Sequence, residues 1–197
     1  MIIFRSGSTP KTAQERCAMD ELLDLNDCVL ALIDIQEKLL AVMHGKEALL
    51  ENAVKLARFA GIIGLPVLVT EQEKLGPTVS ELAAVIADLS PVTKLEFDAC
   101  RRPEFAGALE GLVRGTVIIA GIESHICITQ TVLHLLSDYR VHVVSDAVSS
   151  RTPENKRVAL DRMREAGAVI TSTEMAMYEL LGEAGTDEFR QTLKLVK

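Results

Sequence analysis

Six short apolar stretches recur along the chain with almost no polar-apolar alternation: CVLALIDI (28–35), PVLVT (66–70), PVTKL (91–95), TVIIAG (116–121), RVHVVSDA (140–147) and AVITS (168–172). A strand with one wet face alternates, whereas a continuous β-branched run must be covered on both faces. Between these runs lie segments of helical period, roughly 36–43, 47–63, 79–87, 103–112, 124–138, 154–166, 174–181 and 185–195. Thr152 with Pro153 reads as a helix start, Ser172 or Thr173 before Glu174 as another, and Gly64 and Gly167 as helix stops. Strand and helix in strict turn predict a three-layer α/β/α sandwich around an open, mostly parallel six-stranded sheet. An eight-stranded barrel needs about 250 residues, more than this chain carries. The domain is expected over residues 27–182, with a C-terminal helix (183–197) packing on it and a polar N-terminal arm (1–26).

Charge and composition narrow the partners. With 21 basic and 28 acidic side chains, net charge −7 and no basic cluster, no nucleic-acid partner is expected. No apolar run approaches the roughly 20 residues that span a bilayer, and the opening MIIF is far shorter than a signal-peptide core, so a cytoplasmic protein without a membrane partner is expected. The four cysteines, Cys17, Cys28, Cys100 and Cys127, are then read as free thiols. No strand-to-helix turn carries the glycine fingerprint of a dinucleotide site or a phosphate loop, so no cofactor is expected.

In an open parallel sheet, ligands bind beyond the carboxyl ends of the strands. Those ends read DIQEK, TEQEKLGPT, KLEFDACRRP, GIESHIC and SDAVSSRTPEN. Cys127 falls in the first turn after the fourth strand, where unpaired amides and the helix dipole lower a thiol's pKa and can hold an oxyanion, so a partly ionised thiol is expected. Gly121 lets the backbone come close at this turn. The histidines are poor bases for this thiol. His125, two residues before Cys127, points about 200° away around a helix, and His134 lies about 10 Å further along it. His142 sits within a buried strand and His44 ends a helix. Asp34 at the end of the first strand would border the Cys127 turn if strands one and four are neighbours, and Lys94 at the end of the third would keep Asp34 ionised. Each has a plainer reading alone: Cys127 as a small core residue, Asp34 as a helix cap, Lys94 as a snorkelling surface lysine. Their shared rim favours chemistry.

Asp34 and Gln36 in "D-x-Q", Lys94 and Phe97 in "K-x-x-F", and Gly121 to Cys127 in "G-[IV]-E-[ST]-x-x-C" resemble the isochorismatase-like cysteine hydrolases over about residues 27–182. The resemblance implies an Asp34-Lys94-Cys127 triad, a cis peptide between Ile122 and Glu123, an oxyanion hole formed by the Glu123 and Cys127 amides, and a Glu123 side chain that holds the turn. Gln36, Glu71, Phe97 and Ser124 are the candidates for lining the substrate pocket. Two departures narrow the substrate. The metal-binding "D-x-H" of the nicotinamidases is replaced by TEQEKLGPT, and no histidine lies between 45 and 124, so no metal is expected. True isochorismatases lack the nucleophilic cysteine. The TEQEKLGPT loop is instead similar to that of the poorly characterised isochorismatase-domain proteins, and the resemblance implies a homo-oligomer, a dimer or larger. Asp98 and Cys100 stand where such relatives often have small or hydroxyl residues, and a redox pairing of Cys100 with Cys127 is one reading of that departure. The implied activity is hydrolysis of a small amide or related acyl compound through a thioester. A catalytically inactive oligomeric binding or scaffolding protein is the alternative.

Overall fold

A computed structural model describes residues 22–197. The sheet is assembled from β1 (Cys28–Ile33), β2 (Val67–Gln72), β3 (Val92–Lys94), β4 (Thr116–Ile122), β5 (Arg140–Ser149) and β6 (Val169–Thr171). Their order is β3-β2-β1-β4-β5-β6, and every neighbouring pair is parallel. The mostly parallel sheet expected from the apolar runs is therefore wholly parallel.

Both faces of the sheet are dry, as the missing alternation requires. Leu30 and Leu32 of β1 face one core, with α2 (Lys46–Ile63) and α7 (Thr173–Leu181). Val29, Ala31 and Ile33 face the other, with α4 (Pro103–Gly111), α5 (Thr129–Leu135) and α6 (Pro153–Glu165). Thr152 caps α6 by accepting from the Asn155 amide, and Pro153 occupies its first turn, where a missing N–H costs nothing. The open choice at α7 falls to Ser172, whose hydroxyl accepts from the Met175 amide. Three helices are shorter than the periodicity suggests: α1 is Glu37–Leu40, the 79–87 pattern yields only α3 (Ser80–Ala83), and the 124–138 pattern yields a π-helical turn, Ser124–Ile128, before the seven-residue α5. Asp88, with φ 51°, turns the chain, and Pro91 holds the residue before it extended, so helix cannot run on into β3.

At the inner end of the expected arm Leu23 is buried, its amide donates to Glu179 Oε2 at 3.2 Å, and Arg114 Nη1 donates to the Leu25 carbonyl at 2.6 Å. The rest of the expected arm, with Cys17, lies outside the described residues. The last helix, α8 (Asp187–Val196), rests on α2 and α7, with Phe189 edge-on to Tyr178. Among the described residues no helix is long and apolar enough to cross a membrane.

Candidate active site at the carboxyl edge of the sheet

The strand order reverses between β1 and β4: the chain builds outward through β2 and β3, then returns to add β4 on the other side of β1. Such a switch point opens a crevice between the two strand ends. Here the crevice is drawn tight by Gly121. It pairs with Ile33 at φ 132°, and a Cβ built on it would lie 2.1 Å from the Ile33 carbonyl oxygen, so only glycine fits. One residue beyond Ile33, Asp34 has φ 54°, in the left-handed region that an aspartate tolerates better than most side chains. Its backbone amide donates to the Thr70 carbonyl at 3.1 Å, which fixes Asp34 between the ends of β2 and β4.

Three side chains meet there. Lys94 reaches across β2 from the edge strand β3 and places Nζ 2.6 Å from Asp34 Oδ2, with both side chains fully shielded from solvent. The ammonium also donates to Gln72 Oε1 at 2.8 Å and to the Glu96 carbonyl at 3.1 Å, while Thr70 Oγ1 donates to Asp34 Oδ1 at 2.7 Å. The buried charges are therefore paired and hydrogen-bonded, the condition under which such a pair is tolerable. Cys127, only 4% exposed, lies where the Asp34 carboxylate, the Lys94 ammonium and the Glu123 amide all act on its thiol. Cys127 stands in a π-helical turn, Ser124–Ile128, that precedes α5. The peptide bond between Ile122 and Glu123 is cis.

One expectation is reversed. The Cys127 thiol is not lowered but pushed up to about 12. Burial is the main cause and the charge of Asp34 the next; the Lys94 ammonium and the Glu123 amide pull the other way without prevailing. At neutral pH the sulfur carries its proton, with the Asp34 carboxylate as a neighbour.

The Glu123 carboxylate turns away from the thiol. It accepts from the Arg151 amide and from Arg151 Nε and Nη2, at 3.1, 3.1 and 2.6 Å, tying the β4 turn to the loop before α6. Burial alone would raise its pKa, but the Arg151 hydrogen bonds and charge hold it below the ordinary value. The histidines fall as the helical geometry requires: His125 Nδ1 lies 3.0 Å from Ser150 Oγ, and His134 pairs with Asp98. His142 is buried in β5, where burial drives its pKa down to about 4 and keeps the ring neutral.

A family model described as an isochorismatase domain matches residues 28–175. This chain belongs to the isochorismatase family. The secreted isochorismatase effector Isc1 of Phytophthora sojae is 38% identical over 177 residues, covering 86% of this chain and 84% of that protein. Isochorismatase domain-containing protein 2 of Macaca fascicularis is 38% identical over 173 residues, covering 86% and 82%. Among solved structures, the MAR1 ribonuclease of Caenorhabditis elegans superposes with TM-score 0.83 at 32% identity, covering 89% and 92% of the two chains. YcaC of Pseudomonas aeruginosa, solved with hexane-2,5-diol and covalent acrylamide, gives TM-score 0.83 at 25% identity, covering 89% and 91%. The YcaC gene product of Escherichia coli, an octameric hydrolase of unknown specificity, gives 0.81 at 25%, covering 89% and 87%. Membership makes the chain an isochorismatase-family hydrolase.

Within this isochorismatase domain the four pocket candidates part company. Gln36 is fully buried and engaged with its own loop: its Nε2 donates to the Gln72 and Gly76 carbonyls, and its Oε1 accepts from the Gln72 amide at 2.7 Å. Glu71 Oε1 accepts from both the amide and the hydroxyl of Thr78 at 2.7 Å. These two side chains brace the TEQEKLGPT loop. Ser124 is buried with its hydroxyl unpartnered, in the same π-helical turn as Cys127, and Phe97 is 53% exposed beside Leu95. Spacing could not distinguish these cases, because a glutamine's partners depend on where a distant loop folds back. Sequence reading also missed a second gathering of chemistry: Asp98, Cys100 and His134 meet on the surface of α5. Cys100 makes its polar contact with Asp98, and both it and Cys127 are free thiols, so no Cys100-Cys127 pair is formed.

Proposed function

We propose that this chain is a cysteine-dependent hydrolase of a small amide or related acyl compound, with Cys127 as nucleophile, Asp34 as base and Lys94 as its electrostatic partner. The observation that carries the reading is the buried ion pair, Lys94 Nζ at 2.6 Å from Asp34 Oδ2, with the buried Cys127 thiol close enough to feel both charges. The covalent acrylamide in the Pseudomonas aeruginosa YcaC structure supports a reactive nucleophile in this fold.

The high thiol pKa makes the base necessary. As the sulfur forms its bond to the acyl carbon, the thiol proton passes to Asp34 and the carbonyl oxygen becomes an oxyanion held by the Glu123 and Cys127 amides. Collapse breaks the C–N bond, the amine leaves with the proton from Asp34, and a thioester remains. Water then attacks, giving a proton to Asp34; the acid is released and the sulfur recovers its proton. Lys94 stabilises the carboxylate in the resting state and meets the developing negative charge.

The substrate is a small molecule, and neither nucleic acid nor membrane is a partner in this reading. The net charge of −7 disfavours a polyanion, although one structural relative is named a ribonuclease. The exposed Leu95 and Phe97 at the mouth, together with the octameric relative, support a homo-oligomer whose neighbouring copy covers this rim. A cytoplasmic location is part of this reading; Cys28, Cys100 and Cys127, the cysteines among the described residues, are unpaired. The deep burial of all three triad side chains supports a second reading, an inactive binding or scaffolding protein.

The deciding experiment incubates the chain with a panel of small amides, ureas and acyl esters and follows product and intact mass. An acyl adduct on Cys127, lost in Cys127→Ala together with turnover, supports the hydrolase. Turnover at the parental rate in Cys127→Ala overturns it, and absence of adduct and product across the panel favours the scaffold.

A further inference from the structure

The turn after β3 carries Asp98 and Cys100 two residues apart. Asp98, 6% exposed, caps the 3-10 turn Ala99–Arg101 by accepting from the Cys100 amide at 3.0 Å, which holds its carboxylate beside the Cys100 thiol. The Ala99 amide donates to Thr131 Oγ1 at 3.0 Å, fastening the turn onto α5. His134, three residues beyond Thr131, lies on the same helix face and so meets the turn, with Nδ1 2.8 Å from Asp98 Oδ2. One oxygen, one sulfur and one nitrogen ligand atom thus lie within 4.8 Å of one another.

We propose that Asp98, Cys100 and His134 form a binding site for a borderline-soft divalent cation of the zinc type. Tetrahedral zinc with N, O and S ligands places its donor atoms roughly 3.3 to 3.7 Å apart, a spacing this cluster reaches by small side-chain rotations. The mixed donors select zinc, cobalt or a similar ion over magnesium and calcium, which take oxygen ligands. Burial is graded outward from Asp98 through Cys100 to His134, whose side chain is 49% exposed, so the ion enters from solvent and keeps water on the side the protein leaves open. Arg101 Nε stands 3.5 Å from Asp98 Oδ2, but its side chain is 75% exposed and swings away at little cost. At the triad, by contrast, the Lys94 ammonium already occupies the cation's place against Asp34. On binding, the Cys100 thiol loses its proton to solvent and becomes a thiolate ligand, while His134 carries its ring proton on Nε2 and ligates through Nδ1; about one proton is released per ion.

The test titrates the untagged full-length chain with Co²⁺ and then Zn²⁺, reading the thiolate-to-cobalt absorption band, with calorimetry in buffers of different ionisation enthalpy to count protons. One Co²⁺ per chain, displaced by Zn²⁺, is expected. The band disappears in Cys100→Ser and binding weakens at least about tenfold in His134→Ala, whose exposed position leaves folding intact, while Cys127→Ser binds as the parent does. A band that survives Cys100→Ser, one lost instead in Cys127→Ser, or His134→Ala binding within about twofold of the parent overturns the assignment.

Discussion

Cys127 and Cys100 sit against the same core on one face of the sheet, both are free, and both thiols are pushed up to about 12. Their surroundings differ. Around Cys100, burial and the Asp98 carboxylate act in one direction and nothing opposes them. Around Cys127, burial and Asp34 raise the pKa while the Lys94 ammonium and the Glu123 amide lower it, so donors that can accept new negative charge are already in place. In the two proposals the same resting protonation would cover two chemistries: an acceptor for the proton together with cationic support suits attack on a carbon, whereas a carboxylate and an open imidazole suit a metal ion. A thiol's pKa alone does not identify the reactive one; the sign and placement of its neighbours do.

The comparison breaks most sharply in turnover. Cys127→Ala is expected to lower the rate by about 10³-fold or more on any substrate the chain hydrolyses, whereas Cys100→Ala, assayed in parallel without added metal, stays within about threefold. Equal losses in both would end the distinction. Next comes stability at the two carboxylates. Lys94→Met leaves Asp34 buried and unpaired, and urea unfolding is expected to show a loss of about 3–5 kcal/mol. Gly121→Ala belongs to the same class, because its new methyl meets the Ile33 carbonyl 2.1 Å away, and poor yield or a loss of several kcal/mol is expected. His134→Ala at the half-exposed partner of Asp98 is expected to cost no more than about 1 kcal/mol without metal.

Proton linkage sharpens the comparison further. Cys28, Cys100 and Cys127 ionise near 12 in the fold against an ordinary 9.0, so the unfolded chain gives up these protons first. Their contribution is complete below about pH 9 and is lost as pH rises from there through 12, a fall that pH-dependent urea midpoints would show. The smallest effect is a rate. Asp34→Asn removes the charge that raises the Cys127 pKa, so iodoacetamide labels Cys127 a few-fold faster between about pH 7 and 9 while Cys100 labelling is unchanged. An unaltered Cys127 rate would detach Asp34 from the thiol.

The apolar runs and the helical periods between them suffice for the layers, the strands and most helix ends, because burial on two faces and the capping of Thr152 and Ser172 are decided within a few residues. They also suffice to put Asp34 and Cys127 at one edge, since every parallel strand ends on the same side of the sheet. Where local pattern fell silent, distance in the chain was the reason. That Lys94 reaches over β2 to Asp34, and that Gln36 and Glu71 brace a loop, depend on strand order and register across tens of residues. The helix start suggested an ionised Cys127, because a dipole is visible in sequence; burial and a neighbouring carboxylate, which outweigh it, are not. The meeting of Asp98 and Cys100 with His134 is of the same kind, since the Ala99-Thr131 hydrogen bond fastens the turn to a helix 32 residues further along the chain. Sequence settled what each segment is, through local periodicity and capping, whereas tertiary structure alone set which charges face one another, because electrostatics and desolvation act through space.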